Sequence, residues 1–195
     1  MITLASASSV RAALLKAAGV AFEVGTSGVD ETAIKDRLLA EGRTPAQIAA
    51  ILAETKAGAV ARTRPGLVIG ADQTLEFDGD LYDKAADLAE ARERLRTLRG
   101  RTHRLHAAVA TARDGRPLWG ETITSTLTMR DFSDAFLDGY LARNPGAALW
   151  SVGCYELEGE GIQLFDHIDG DYFAILGLPL TGLLAHLREE GLVPR

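Results

Sequence analysis

The chain has 195 residues, enough for one domain or two tightly merged lobes, and its 47% hydrophobic share supplies a real core. A formal net charge of −6 argues against a general nucleic-acid binder, although a few local cations suffice for a small anion. A single cysteine, Cys154, excludes an intrachain disulfide, and the opening MITLASASSV lacks a signal peptide's basic region and long apolar core. With no apolar run long enough to span a membrane, the expectation is a cytoplasmic protein with no membrane partner.

The chain opens on a short β-type run, Ile2-Thr3-Leu4-Ala5, followed by small hydroxyl residues and a helix over 10–18 that Gly19 ends. A strand leading through serines into a helix N-terminus offers free N–H groups, a favourable dipole and hydroxyl donors to an anion. Capping by Ser8 or Ser9 explains the serines equally well. Arg11 sits in the first turn, where the dipole disfavours a cation, so either a bound anion or plain solvation accounts for it. A strand at 22–24 precedes a helix over 31–41 that Glu31 opens, either as a metal ligand or as a favourable first-turn acid. Thr44, Pro45 and Gln47 spell a capping box for a helix reaching about Arg62. Lys56 lies on that helix, where an exposed lysine is the ordinary expectation.

The stretch LVIGADQTLEFDGDLYDK, 67–84, carries the densest chemistry. Leu67-Val68-Ile69 reads as a buried strand, and Gly70-Ala71 permits close approach to its backbone. Asp72 follows at the mouth of the strand. Leu75-Glu76-Phe77 reads as a second short strand, and Asp78-Gly79 as a hairpin turn bringing Lys84 back towards the acid. Such an arrangement suits a metal or a general base beside a phosphate, while a turn-forming role for Asp72 is the plain alternative.

Asp87 and Glu90 box a helix over 88–98 whose arginines, Arg92, Arg94, Arg96 and Arg99, read as a solvated face. The β-type runs 102–112 and 118–130, joined by the turn-rich Asp114-Gly115-Arg116-Pro117, predict a long antiparallel hairpin. His103 and His106 fall on opposite faces of its first strand and make a poor metal pair. Ser133 caps a helix that ends before Asn144-Pro145-Gly146. The glycines of 158–161 invite close approach by a ligand, and Glu158 is placed to accept hydrogen bonds. That segment runs into a strand-like stretch at 162–168, so it is no dinucleotide fingerprint. A last helix starts at Gly177-Leu178-Pro179-Leu180, and Cys154 reads either as a small buried hydrophobe, the commoner case, or as a reactive thiol. No P-loop or serine elbow is present.

The sequence resembles the Maf family of nucleoside triphosphate pyrophosphatases. The resemblance is carried by LASASSVRAALL at 4–15, VDE at 29–31, Lys56-Ala57, VIGADQ at 68–73, Lys84, GRTH at 100–103, EGEGI at 158–162 and GLPL at 177–180. It covers nearly the whole chain, as one domain over 1–195. It implies an α/β fold with an elongated mixed central sheet, flanking helices and two lobes around a nucleotide cleft, often in a homodimer. It implies hydrolysis of a nucleoside triphosphate to a monophosphate and pyrophosphate with a divalent metal, Mg²⁺ or Mn²⁺. Carried over by position, Asp72 would activate water and also ligate metal with Glu31. Ser8, Arg11, Lys56 and Lys84 would hold phosphate, and Val10, Gln73 and Glu158 would sort the base. Gln73 and Glu158 match the branch similar to 7-methyl-GTP pyrophosphatase, in which Val10 replaces a tryptophan and Ser9 a proline. The family's association with division arrest implies an alternative, a nucleotide-binding regulator of septum formation with little catalysis.

Overall fold

The computed structural model describes residues 1–194 and is an α/β fold built on one mixed sheet. Its strands are β1 (Ile2–Ala5), β2 (Glu23–Val24), β3 (Leu67–Phe77), β4 (Asp80–Tyr82), β5 (Thr102–Arg113), β6 (Arg116–Met129) and β7 (Phe165–Asp169). The order is β2-β1-β3-β5-β6-β7, with β4 also paired to β3. β1 runs parallel to β2 and β3, and every later pairing is antiparallel. The helices are α1 (Ser9–Ala17), α2 (Glu31–Ala40), α3 (Pro45–Ala61), α4 (Leu88–Leu98), α5 (Asp134–Arg143), α6 (Pro145–Trp150), α7 (Tyr172–Ile175) and α8 (Leu180–Glu189). No helix among the described residues is long and apolar enough to cross a membrane.

β3 is one continuous strand, not the two expected from the sequence. Gly70 does not interrupt it; a Cβ there would run into the Ala53 carbonyl and the backbone of Ala57 on α3. The glycine therefore serves close helix-on-sheet packing. The same economy of volume recurs around it. Ala49 and Ala53 of α3 pack with Ala108 and Ala110 of β5, and Ala57 packs with Ala5, Val68 and Ala112.

Strand periodicity then divides the core. On the face of β3 away from α3, Leu67, Ile69 and Ala71 join Leu4, Leu15, Leu178, Leu183 and Leu187 in one apolar cluster. Further along the same face, Leu75 and Phe77 join Leu95, Leu98, Leu127, Phe132 and Tyr140 in another. Gln73 falls between the two. One edge of β3 is paired with β5 from Val68 to Glu76. The other edge is paired with β1 only as far as Gly70 and with β4 only from Leu75. Residues 71–74 are thus left open on that edge, between the two clusters.

Both predicted hairpin turns form, with Asp78 at φ 54° and Gly79 at 90°, and Asp114 at 53° and Gly115 at 76°. These are the left-handed pairs that two-residue hairpins need. Thr44 and Gln47 make the full capping box on α3. Elsewhere local reading fell short. Asn144-Pro145-Gly146 starts a new helix, α6, because proline fits a first helical position. The stretch at 162–168 is split between a 3₁₀ turn, Glu160–Leu164, and β7. Arg94 is buried rather than solvated, donating to the Val152 carbonyl at 3.1 Å and to Glu90 at 2.8 Å.

His103 and His106 are structural, as the strand period implied. His106 bonds Thr124 and Glu76. The buried His103 ring lies 2.7 Å from the Tyr155 hydroxyl, and its Nδ1 has no partner. Burial lowers its pKa from 6.5 to about 4. Folding therefore favours the neutral ring, and that contribution, complete above pH 6.5, is lost as pH falls towards 4. A shift of this size corresponds to about 3 kcal/mol. Denaturant titrations at pH 7 and pH 4.5 are expected to show a smaller acid loss in His103→Gln than in the parent. Parallel losses in the two proteins would remove His103 from the acid response.

Candidate active site

The open stretch of β3 forms the floor of a cleft of about 490 Å³, the size of a small-molecule site. Two helix N-termini face it. Ser8 is the N-cap of α1, accepting from the Arg11 N–H at 3.4 Å, and Asp30 caps α2, accepting from Ala33 at 3.0 Å. Their unsatisfied N–H groups and dipoles favour an anion. Ser8, Val10, Arg11, Glu31, Lys56, Asp72, Gln73, Lys84 and Glu158 all line this one cleft. The sequence positions span most of the chain; the fold brings them together.

Lys56 is the centre of the polar set and overturns the expectation of an exposed lysine. Its side chain is only 7% exposed, as is that of Asp72. The ammonium lies 2.7 Å from Asp72 Oδ1 and 2.8 Å from Glu31 Oε1. Leu52, Ala53, Ala57 and Val60 are all buried around it on α3. A lysine flanked at helical spacing by apolar residues was the signal that could have revealed this burial. Asp72 Oδ2 is buried with no partner. An orphaned buried carboxylate oxygen beside a cleft calls for a proton, a water or a cation to face it.

Arg11 is tied down more firmly than a solvated or purely anion-bound arginine would be. Its Nε donates to the Gly177 carbonyl at 2.8 Å, and its Nη1 to the Ala71 carbonyl at 3.0 Å and to Ser6 Oγ at 3.2 Å. The Ala71 carbonyl belongs to the unpaired edge, so the guanidinium replaces a missing strand neighbour there. Burial lowers the Arg11 pKa, while the charges of Asp72 and Glu31 oppose that shift. Gln73 donates Nε2 to the Ala174 and Ile175 carbonyls at 3.1 and 2.9 Å, the C-terminal end of α7. Its Oε1 is left to accept. Val10 is half-buried, and Glu158 and Lys84 are exposed on the cleft wall.

Four lining residues escaped the sequence reading. Lys35 and Asp83 form an ion pair at 2.8 Å. Glu156 sits near Glu158, and burial, then repulsion from Glu158, raises its pKa. Trp150, 75% exposed, stands on the cleft wall. Among the described residues no three His, Cys, Asp or Glu side chains gather as a self-contained metal centre. Glu31 and Asp72 are nevertheless within reach of one cation, since the Lys56 ammonium contacts both. Two carboxylates completed by ligand phosphates are an ordinary Mg²⁺ arrangement, so the donor set fits a hard divalent ion.

One edge of the mixed sheet lies open at a carboxylate, and cations and two helix N-termini, groups that favour an anion, converge on the cleft there. The family model for Maf-like proteins matches residues 1–190, and the chain belongs to the Maf family. It is 62% identical to the nucleoside triphosphate pyrophosphatase of Caulobacter vibrioides, over 97% of this chain and 96% of that protein. It is 53% identical to the nucleoside triphosphate pyrophosphatase of Paramagnetospirillum magneticum, over 98% and 100%. It is 48% identical to the 7-methyl-GTP pyrophosphatase of Rhizobium meliloti, over 99% and 98%.

Proposed function

We propose that the protein hydrolyses a purine-type nucleoside triphosphate, 7-methyl-GTP or another modified nucleotide, to the monophosphate and pyrophosphate, with Asp72 activating the water. Membership of the Maf family, beside curated pyrophosphatases of up to 62% identity, makes the chain an enzyme of this hydrolase class. The base, the metal and the residue roles are our reading. The observation that carries it is the unpartnered Asp72 Oδ2, held in the cleft by a Lys56 that fixes the other oxygen at 2.7 Å.

In this reading the triphosphate lies along the N-terminus of α1, with Ser8, Arg11, Lys56 and Lys84 around its oxygens. Asp72 takes the proton of a water attacking the α-phosphorus, and the bond to the bridging oxygen breaks to release pyrophosphate. The cations and helix N-termini stabilise the charge that builds on the phosphates. Glu31 and Asp72 would hold a Mg²⁺ or Mn²⁺ together with substrate oxygens; when bound, the ion neutralises phosphate charge. Glu158 can accept from a guanine N1–H and amino group, and Gln73 offers Oε1 to a donor. The reading includes a homodimer, which sedimentation would measure.

The test is pyrophosphate release from a panel of unmodified and methylated nucleoside triphosphates with Mg²⁺ or Mn²⁺. The expected result is preference for a guanine substrate, 7-methyl-GTP foremost. Preference for dTTP or UTP would reverse the base assignment. Tight nucleotide binding without release from any member would favour a nucleotide-binding regulator.

A further inference from the structure

The Lys35–Asp83 pair has no part in the reading above, yet both residues stand on the cleft wall. Lys35 lies four residues after Glu31 on α2, so the two share one face of that helix. Asp83 immediately precedes Lys84, and its Oδ1 accepts the Lys84 backbone N–H at 2.9 Å. An alternating series of charges therefore rims the cleft. It runs Asp72, Lys56, Glu31, then along α2 to Lys35, Asp83 and Lys84.

α2 has little else to hold it. Leu38 is its one fully buried residue, and Ile34 is partly buried against the small cluster that Leu38 forms with Ile48 and Leu52. The loop after β4 leaves the sheet at Tyr82, beyond the last strand pairing. Both segments bear a residue assigned above to metal or phosphate, and each has a weak apolar anchor. The Lys35 side chain is only 13% exposed, so its ammonium is held in one place rather than waving in solvent.

We propose that Lys35 and Asp83 form a clamp that fixes α2 against the loop after β4 and so sets where Glu31 and Lys84 stand across the cleft. Both are positioning residues; neither touches the reacting atoms. This inference rests on the hydrolytic reading for its kinetic consequence, but not for its mechanical one.

The experiment uses the full chain as Lys35→Met, Asp83→Asn, the double variant and the charge-exchanged Lys35→Asp/Asp83→Lys. Hydrogen exchange of the α2 amides and pyrophosphate release from GTP and 7-methyl-GTP are measured on each. Each single variant is expected to exchange faster over residues 31–40 and to raise KM about two- to fivefold, the range of a partly exposed ion pair. The double variant is expected to be no worse than either single one, and the exchanged pair to recover most of the loss. An unchanged exchange rate or an unchanged KM overturns the clamp. A KM lowered by Asp83→Asn and raised by Lys35→Met also overturns it, making Lys35 a phosphate ligand restrained by Asp83. A parent that releases no pyrophosphate removes the hydrolytic reading alone, and the exchange data then decide the clamp by themselves.

Discussion

Asp72→Asn is expected to abolish most pyrophosphate release while leaving the fold in place. The asparagine keeps an oxygen for the Lys56 ammonium, now 2.7 Å from Asp72 Oδ1, and Glu31 still neutralises that ammonium from 2.8 Å. What it loses is the capacity to take a proton at the position of Oδ2, which has no protein partner. Removing a general base costs typically about 10²- to 10⁴-fold, and a loss near a thousandfold is expected. The melting temperature is expected to stay within about 4 °C of the parent, roughly 1 kcal/mol for a chain of this size. Near-parental turnover in a folded variant would take Asp72 out of the chemistry.

Lys56→Met is expected to damage both stability and activity. Lys56 and Asp72 are each 7% exposed, and methionine leaves Asp72 buried without its counter-ion. Breaking a buried pair by removing one partner typically costs about 3–5 kcal/mol. That corresponds to a fall of roughly 10 °C or more in melting temperature. The double variant Lys56→Met/Asp72→Asn removes the stranded charge and is expected to regain much of the stability while remaining inactive. Calorimetry on the three proteins separates the terms. A Lys56→Met protein as stable as the parent would show that the bridge carries no structural weight.

The local features of this chain were legible because short-range chemistry decides them. Thr44, Pro45 and Gln47 announced α3, Ser133 announced α5, and Asp78-Gly79 and Asp114-Gly115 announced hairpins. The strand period placed His103 and His106 on opposite faces. Features decided at long range were hidden. Gly70 was legible as a point of close backbone approach, but that the approaching group is α3, and that β3 runs on unbroken past it, depends on distant chain. Arg94 looked solvated because its acceptor, the Val152 carbonyl, is 58 residues away. The Lys35–Asp83 pair spans 48 residues, and nothing in either neighbourhood points to the other.

The candidate site was legible in a different way. Each piece, such as Ser8 before a helix or Asp72 after a strand, had a plain structural explanation. Some of those explanations hold: Ser8 does cap α1. Only the convergence of all nine candidate residues on one cleft distinguishes them from scattered polar positions. The resemblance carried that convergence in the sequence, since order along the chain says nothing about distance. Lys56, read as an exposed lysine, is the one candidate whose burial its apolar flanks on α3 could have announced.

The continuity of β3 couples the two halves of the molecule mechanically. Its first half anchors the cluster around Leu15 and Leu187, and its last residues anchor the cluster around Leu95 and Phe132. β1 reaches it across more than sixty residues of intervening chain, while β5 and β6 fold back on each other at a two-residue turn. The hairpin can therefore form early, but the β1–β3 contact must await a slow loop closure. Asp72 lies just past the end of that contact, in the gap the two clusters frame. During refolding, recovery of turnover would then lag the appearance of sheet structure, and the last event in assembly would be the one that completes the cleft.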